Sequence, residues 1–407
     1  REQEAALLAE ELDRLLPDDA FVLSSIDFSH YLSAVDMDEK DEETLTAINS
    51  RDYAGMFEFT TDHLDSIATL QTHLMYSDTR ECYQDLIWRD NSGRILDLTE
   101  VPGTSYFVYF CKDEHPIRIT AAGDVMLGRG VEYWLDQTTI EDAFSDARDV
   151  FIGSDIGFVN LESVLTNTEP STGKAIHFKG RPEQTEVLQY IGVNHVSVSN
   201  NHVDDYGREG WEDSRKNLVG AGIESVGGYA NDGDGVFGEI GENRVVVLAY
   251  EDLIFPLDHE KVFREIGEAG EIGDLVVVSV HWGEEYQHEP SADIKAFAKA
   301  MIDAGADIVL GHHPHVLQGI EQYNDGIIFY SLGNFVFDQE GFDENESVAV
   351  QIDWADSKKV VELVPMRIER GFPRIANDKE AEFTLNRIAN WSDESLQDQI
   401  RSGSIVW

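Results

Sequence analysis

The sequence predicts an α/β protein of more than one domain. Three observations carry this. Apolar runs alternate with helical stretches from residue 117 onward, several of those runs end in a metal-binding residue type, and 407 residues exceed one ordinary core. A hydrophobic content of 42%, with 10% aromatics, suits a globular chain and argues against disorder.

Taken in order, the chain opens on REQEAALLAEELDRLL, a helical pattern already under way at Arg1, so the true amino terminus is expected upstream. Residues 1–113 read as one unit ending in the β-rich run TSYFVYFCKD, followed by a polar hinge at Glu114-His115-Pro116. Residues 117–370 read as the second. There IRITAAG is a strand, followed by a helix near 131–149, the strand IGFVNLE, a helix near 183–191 and the strand NHVSVS. A helix near 208–220, the strands GIESVGG and VVVLAY, a helix near 258–268, LVVVSVHW, a helix near 291–304 and DIVLG follow. This alternation predicts a mixed or parallel sheet with helices on both faces. From about 316 the successive runs VLQGIE, GIIFYSL, SVAVQID and VVELVPMRIE imply a second, antiparallel sheet. Residues 371–407 read as a carboxyl-terminal tail packed on the second domain, helical over 380–403.

The charge is extreme. Acidic residues number 79 against 30 basic ones, for a formal net charge of −49. Such a field repels phosphate, which excludes nucleic acid and anionic membrane surfaces as partners. The acid is spread along the chain and Arg outnumbers Lys 19 to 11, a pattern expected of adaptation to high salt. No apolar run approaches the roughly 18–20 residues of a membrane span. The two cysteines, Cys82 and Cys111, form no CxxC or zinc spacing. Reduced thiols and a cytoplasmic location are the expectation.

Five clusters of metal-ligand types sit on or just after the apolar runs. They are Gly123-Asp124, Asn160-Leu161-Glu162, Asn200-Asn201-His202, His281-Trp282-Gly283 and Gly311-His312-His313-Pro314-His315. One strand-end histidine is ordinarily structural. Five such clusters in series are how an α/β sheet assembles one site from distant segments. Carboxylate, amide oxygen and imidazole are also the donors that hold divalent metals.

GDVMLGRGV, VNLESVLT, SNNHVDDYGREG, VSVHWGEEYQHEP, GHHPHVLQGIE and YSLGNFVF resemble, in order and spacing, the CapA-type capsule and poly-γ-glutamate biosynthesis proteins. These belong to the calcineurin-like metallophosphatases, and the likeness covers about 117–340. It implies a four-layer metallophosphatase-like β-sandwich flanked by helices. It also implies a centre of one or two divalent metals (manganese, iron or zinc) held by Asp124, Glu162, Asn201, His281, His313 and His315. His202 is then the general acid, tuned by Asp204 or Asp205. Where the superfamily places a histidine two residues after the first aspartate, this chain has Met126, and Glu162 stands at the bridging position. The first metal site is thereby one ligand short, so a single metal, or two of unequal affinity, is expected.

Lys179, Arg181 and His312 are candidates for contacting an anionic small-molecule or polymer substrate. Lys179 and Arg181 also read as a solvated loop, and His312 as a neighbour of the ligands. Glu284, Glu285 and Tyr286 border the pocket or form a surface loop, and Asn334 is expected to hold a backbone loop. In the first unit, VLSSIDFSHYL, DEETLTAI and TSYFVYF resemble the carboxyl-terminal half of Memo-like proteins over about residues 20–111. The resemblance implies a partial α/β Memo-like domain with a vestigial pocket at Asp27 and His30, lacking the family's first-half histidines and its cysteine. Three functions remain open: a metal-dependent phosphoesterase, a non-catalytic accessory protein with capsule-synthesis partners, and a redox- or radical-linked Memo-like protein.

Overall fold

The strand Ile117–Val125 is the hub of the larger sheet of the second unit. It pairs in parallel with Ile156–Leu161 on one side and antiparallel with Glu346–Trp354 on the other. The nine-stranded sheet runs outward from there through His195–Ser197 and Glu224–Val226 at one end. At the other end it runs through Lys359–Glu369 and Phe372–Ile375, with Asn334–Val336 and Ser404–Val406 pairing off that path. A second sheet of six strands carries Asn243–Glu251, Leu275–His281, Ile308–His312 and Gly326–Phe329 in parallel, with antiparallel strands at both edges.

This computed structural model describes all residues except 1, 17–21, 81, 97, 99–100, 113–115, 170–172, 175, 232–235, 241–242 and 356–358. Two compact units emerge, Arg1–His115 and Pro116–Trp407. Of the expected hinge, only Pro116 lies within the described residues.

The two sheets of the second unit pack face to face. Ile119, Phe158 and Val350 of one meet Val247, Val277 and Ile308 of the other in a single buried cluster. Helices cover each outer face. Phe144, Val150, Leu188 and Leu218 close over Val159 and Val196 of the larger sheet. Val262, Ile266, Phe297 and Met301 close over Val278 and Val309 of the smaller one. The order is helix, sheet, sheet, helix. The central strands are buried on both faces, which is why they read as continuous apolar runs rather than alternating ones.

Several expectations need correction. Helices do not cover both faces of one sheet; each sheet has helices on one face and the other sheet on its second face. The late strands do not form a separate antiparallel sheet either. Glu346–Trp354 and Lys359–Glu369 extend the sheet of Ile117–Val125, whereas Ile320–Tyr323 and Gly326–Phe329 join the other sheet. The tail is helical over Asp378–Trp391 and Gln397–Ser402, but Phe372–Ile375 and Ser404–Val406 both pair with Lys359–Glu369. The helix expected near 131–149 is two helices, Arg129–Leu135 and Ile140–Phe151. Thr139 starts the second by accepting a hydrogen bond from the Asp142 amide at 3.0 Å.

The first unit holds a three-stranded antiparallel sheet with Gly103–Lys112 in the centre, and helices at Glu2–Leu15, Ala34–Asn49 and Ile67–Thr79. Phe28, Ile48, Met56, Leu64 and Leu74 form a small core of its own. Cys82 is disulfide-bonded rather than a free thiol. Among the described residues no helix is long and apolar enough to cross a membrane.

Candidate functional site

The carboxyl ends of the parallel strands of both sheets meet on one side of the second unit. In the larger sheet Asp124 lies opposite Asn160, and Asn160 opposite Ser197. In the smaller sheet Glu251 lies opposite His281, and His281 opposite His312. Two glycines allow the approach. A Cβ on Gly123 would sit 1.9 Å from the Gly333 carbonyl oxygen, and one on Gly311 would sit 2.0 Å from the Tyr330 carbonyl oxygen.

All six expected ligands converge. Asp124 Oδ2 lies 3.3 Å from His315 Nδ1 and accepts a hydrogen bond from the His313 amide at 3.2 Å. His281 Nε2 is 3.1 Å from Asn201 Oδ1 and 4.0 Å from Glu162 Oε1. The rings of His281 and His313 are 4.8 Å apart, and those of His313 and His315 5.8 Å. Ligand atoms of Asp124, Glu162 and His315 all lie within 4.8 Å of one another, and so do those of Glu285, His313 and His315.

The donor set fits a divalent cation. Glu162 is buried with neither carboxylate oxygen hydrogen-bonded, and His313 Nδ1 is buried without a partner. Leaving a carboxylate unpaired in the interior is costly, and a cation removes that cost. The electrostatics agree. Burial and the neighbouring Asp124 charge push the Glu162 carboxyl well above its usual range. Burial alone would raise Asp124, but His312 and His315 hold it well below. Burial opposes charge on His315, yet Glu162, Asp124 and Asn334 outweigh it and lift its pKa to about 9. Burial and His315 lower His313 to about 4, and burial lowers His281.

The backbone around the last two ligands is held in an uncommon conformation, with φ of 97° at His313 and 57° at His315. Asn334 fixes His315. Its Nδ2 donates to the Glu344 carbonyl at 3.0 Å, so its Oδ1 faces His315 and accepts from Nδ1 at 2.9 Å. Nε2 is then the ring nitrogen left for a metal, and the Asn334 role extends from holding a loop to orienting a ligand.

His202 stands beside this cluster. Its ring stacks on Phe178 at 3.7 Å, and its Nδ1 lies 2.7 Å from Asp205 Oδ2. Asp205, not Asp204, is its partner, and Lys174 pairs with both aspartates. Burial opposes the Asp205 charge, but the bond to His202 prevails and lowers its pKa.

The bacterial capsule synthesis protein PGA_cap family matches residues 118–339, more than half of the chain. The chain belongs to this family. The capsule biosynthesis protein CapA of Bacillus anthracis is 34% identical over 288 residues, covering 65% of this chain and 70% of that protein. The PGA biosynthesis protein CapA of Bacillus subtilis is 34% identical over 248 residues, covering 56% of this chain and 65% of it. A probable polyglutamine synthesis accessory protein of Mycobacterium tuberculosis is 28% identical over 272 residues, covering 58% of this chain and 72% of it. The chain thus spans about two thirds of the length of these curated relatives. Among solved structures, a putative 5'-nucleotidase from Staphylococcus aureus is similar at 14% identity and a TM-score of 0.42, covering 71% of this chain and 58% of that one. A phosphatase from Mycoplasma pneumoniae is similar at 14% identity and a TM-score of 0.39, covering 64% and 91%. Likeness at these scores says nothing about the reaction.

The matched segment also contains Lys179, Arg181 and His312; the two cations have partners of their own, and His312 lies buried beside Asp124. Arg181 pairs with Asp136 at 2.6 Å and Glu132 at 3.1 Å, and lines a cavity with Leu135, Ile140 and Val187 that includes none of the six ligands. Lys179 donates to the Thr168 carbonyl at 3.0 Å. His312 is 0% exposed, with its Nδ1 3.4 Å from Asp124 Oδ1.

Two residues escaped the sequence reading. Arg129, with φ of 54°, holds its guanidinium 5.1 Å from the centre of the Phe178 ring that stacks on His202. Its signal was its place in GDVMLGRGV, at the start of the helix that follows the motif at Asp124. Glu251 closes its strand as Asp124 and His281 close theirs, yet its carboxylate is taken up by the amides of Leu253, Ile254 and Phe255 at 2.8–3.0 Å.

Proposed function

We propose that this chain is a metal-dependent phosphoesterase of the capsule and poly-γ-glutamate synthesis type. Asp124, Glu162, Asn201, His281, His313 and His315 hold one or two divalent ions of manganese, iron or zinc. The observation that carries this is Glu162, a buried carboxylate with two unpartnered oxygens among five further donors. When bound, a divalent metal stabilises charge developing on a phosphoryl group and activates water. Asp205 holds the His202 Nδ1 proton, which leaves Nε2 to deliver a proton to the departing oxygen. Phe178 fixes the ring plane of His202, and Arg129, paired with Asp338 at 3.0 Å, lies over the same Phe178 ring. A phosphoester screen with added Mn²⁺, Fe²⁺ or Zn²⁺, and a chelated control, tests the reading. Metal-dependent turnover supports it; absence of turnover with metal bound overturns it.

Met126 favours a second reading. It is buried near Asp124, and its sulfur accepts from the Gly128 amide at 3.2 Å, so that position offers no imidazole. A metal-stabilised accessory protein of anionic polymer synthesis would bind poly-γ-glutamate without turnover. For residues 1–113 the proposal remains a partial Memo-like domain; Asp27, His30 and Asp65 there offer ligand atoms within 4.8 Å of one another. Iron or copper bound to that unit would favour the redox-linked alternative.

A further inference from the structure

Glu285 is the acidic residue that the six-ligand scheme leaves out, although it lies at the same centre. Its carboxylate and ligand nitrogens of His313 and His315 lie within 4.8 Å of one another, the spacing that also relates Asp124, Glu162 and His315. His315 is common to both groups. One group is buried, whereas Glu285 is exposed, so it approaches from the solvent side.

The loop that carries Glu285 is built against the histidine segment. Gly283 turns the chain with φ of 90° two residues beyond His281, the end of its strand, and Tyr286 takes φ of 64°. The Tyr286 amide donates to the Pro314 carbonyl at 2.8 Å, between the two histidines in sequence. The Tyr286 hydroxyl accepts from Gln339 Nε2 at 3.2 Å, and its ring lies 6.4 Å from that of His315. Glu285 is thus fixed on both sides of its own position. A solvated surface glutamate has no need of two positive-φ residues and a cross-loop hydrogen bond. His313, a member of the same group, is buried and its Nδ1 has no hydrogen-bond partner.

We propose that Glu285 supplies a carboxylate oxygen to the metal centre on its solvent side, beside His313 and His315. This rests on the metal-binding reading above and adds a seventh ligand to it. A third carboxylate shifts the donor set towards oxygen, which favours a hard divalent ion such as Mn²⁺ over Zn²⁺.

The test is Mn²⁺ titration of the full chain followed by electron paramagnetic resonance, comparing the wild type with Glu285→Gln and with Glu284→Gln. Glu285→Gln removes charge at the proposed ligand; Glu284→Gln removes the same charge one residue away. The expected result is at least about tenfold weaker binding in Glu285→Gln, the lower end of what even outer partners of a metal contribute. Glu284→Gln should bind as the wild type does. Equal thermal midpoints of all three proteins in chelator establish that the fold is kept. Unchanged affinity in Glu285→Gln, or equal weakening in both variants, overturns the proposal while leaving the six-ligand centre standing. Absence of Mn²⁺ uptake by the wild type overturns the metal reading itself, and this proposal with it.

Discussion

His202 and Asp205 form a hydrogen-bonded pair, Nδ1 to Oδ2 at 2.7 Å, within a turn whose Asp205 amide donates back to the His202 carbonyl at 3.1 Å. The carboxylate can only accept, so the proton sits on Nδ1 and the tautomer is set.

If His202 donates a proton in the reaction, His202→Ala lowers turnover by roughly 10²–10⁴-fold while metal content stays the same. Asp205→Asn loses the fixed tautomer and lowers turnover in the same direction. Steady-state kinetics paired with metal analysis checks both. Loss of metal in His202→Ala would make it a ligand instead.

Metal binding should release protons. With no metal bound, His315 has a pKa of about 9 and retains its proton at pH 7, while burial and Asp124 raise Glu162 above its usual range. His281 and His313 are lowered and already neutral there. Metal needs the deprotonated forms, so affinity rises with pH until His315 is neutral, near 9. Calorimetry in two buffers of different ionisation enthalpy reads the proton count. Zero net release would contradict this.

Gly123→Ala and Gly311→Ala test the close approach that joins the strand ends. Each new Cβ meets a carbonyl oxygen at 2.0 Å or less, and backbone cannot swing aside as a side chain can. Each variant should lose about 1–3 kcal/mol or more in denaturant unfolding. Metal affinity should fall as well, since Asp124 and His312 are the next residues. Wild-type stability in both would refute the packing account.

Self-repulsion from the net charge of −49 should destabilise the fold at low ionic strength. The Debye length shrinks from ~30 Å at 0.01 M salt to ~3 Å at 1 M, so the thermal midpoint should rise steadily across that range. A flat midpoint would contradict salt adaptation.

The five clusters are legible because each sits on or just after an apolar run. Which member of each would hold a metal (Asp124, Glu162, Asn201, His281, His313 and His315) follows from the family resemblance, not from the pattern. Sheet partners are not legible. Glu346–Trp354 reads as a strand anywhere, and its partner Ile117–Val125 is chosen by non-local packing that periodicity does not encode. The choice of Asp205 over Asp204 turns on one residue of turn geometry. Lys179 and Arg181 stand out in the sequence by charge alone, and in so acidic a chain nearby carboxylates and carbonyls claim them.

The central claim is a metal centre at the meeting of the two sheets. Crystals containing Mn²⁺, measured for anomalous scattering at the manganese edge, test it most directly. The account predicts a peak ligated by Asp124, Glu162, Asn201, His281, His313 and His315. A peak found only at Asp27, His30 and Asp65, or none in the second unit, would contradict it.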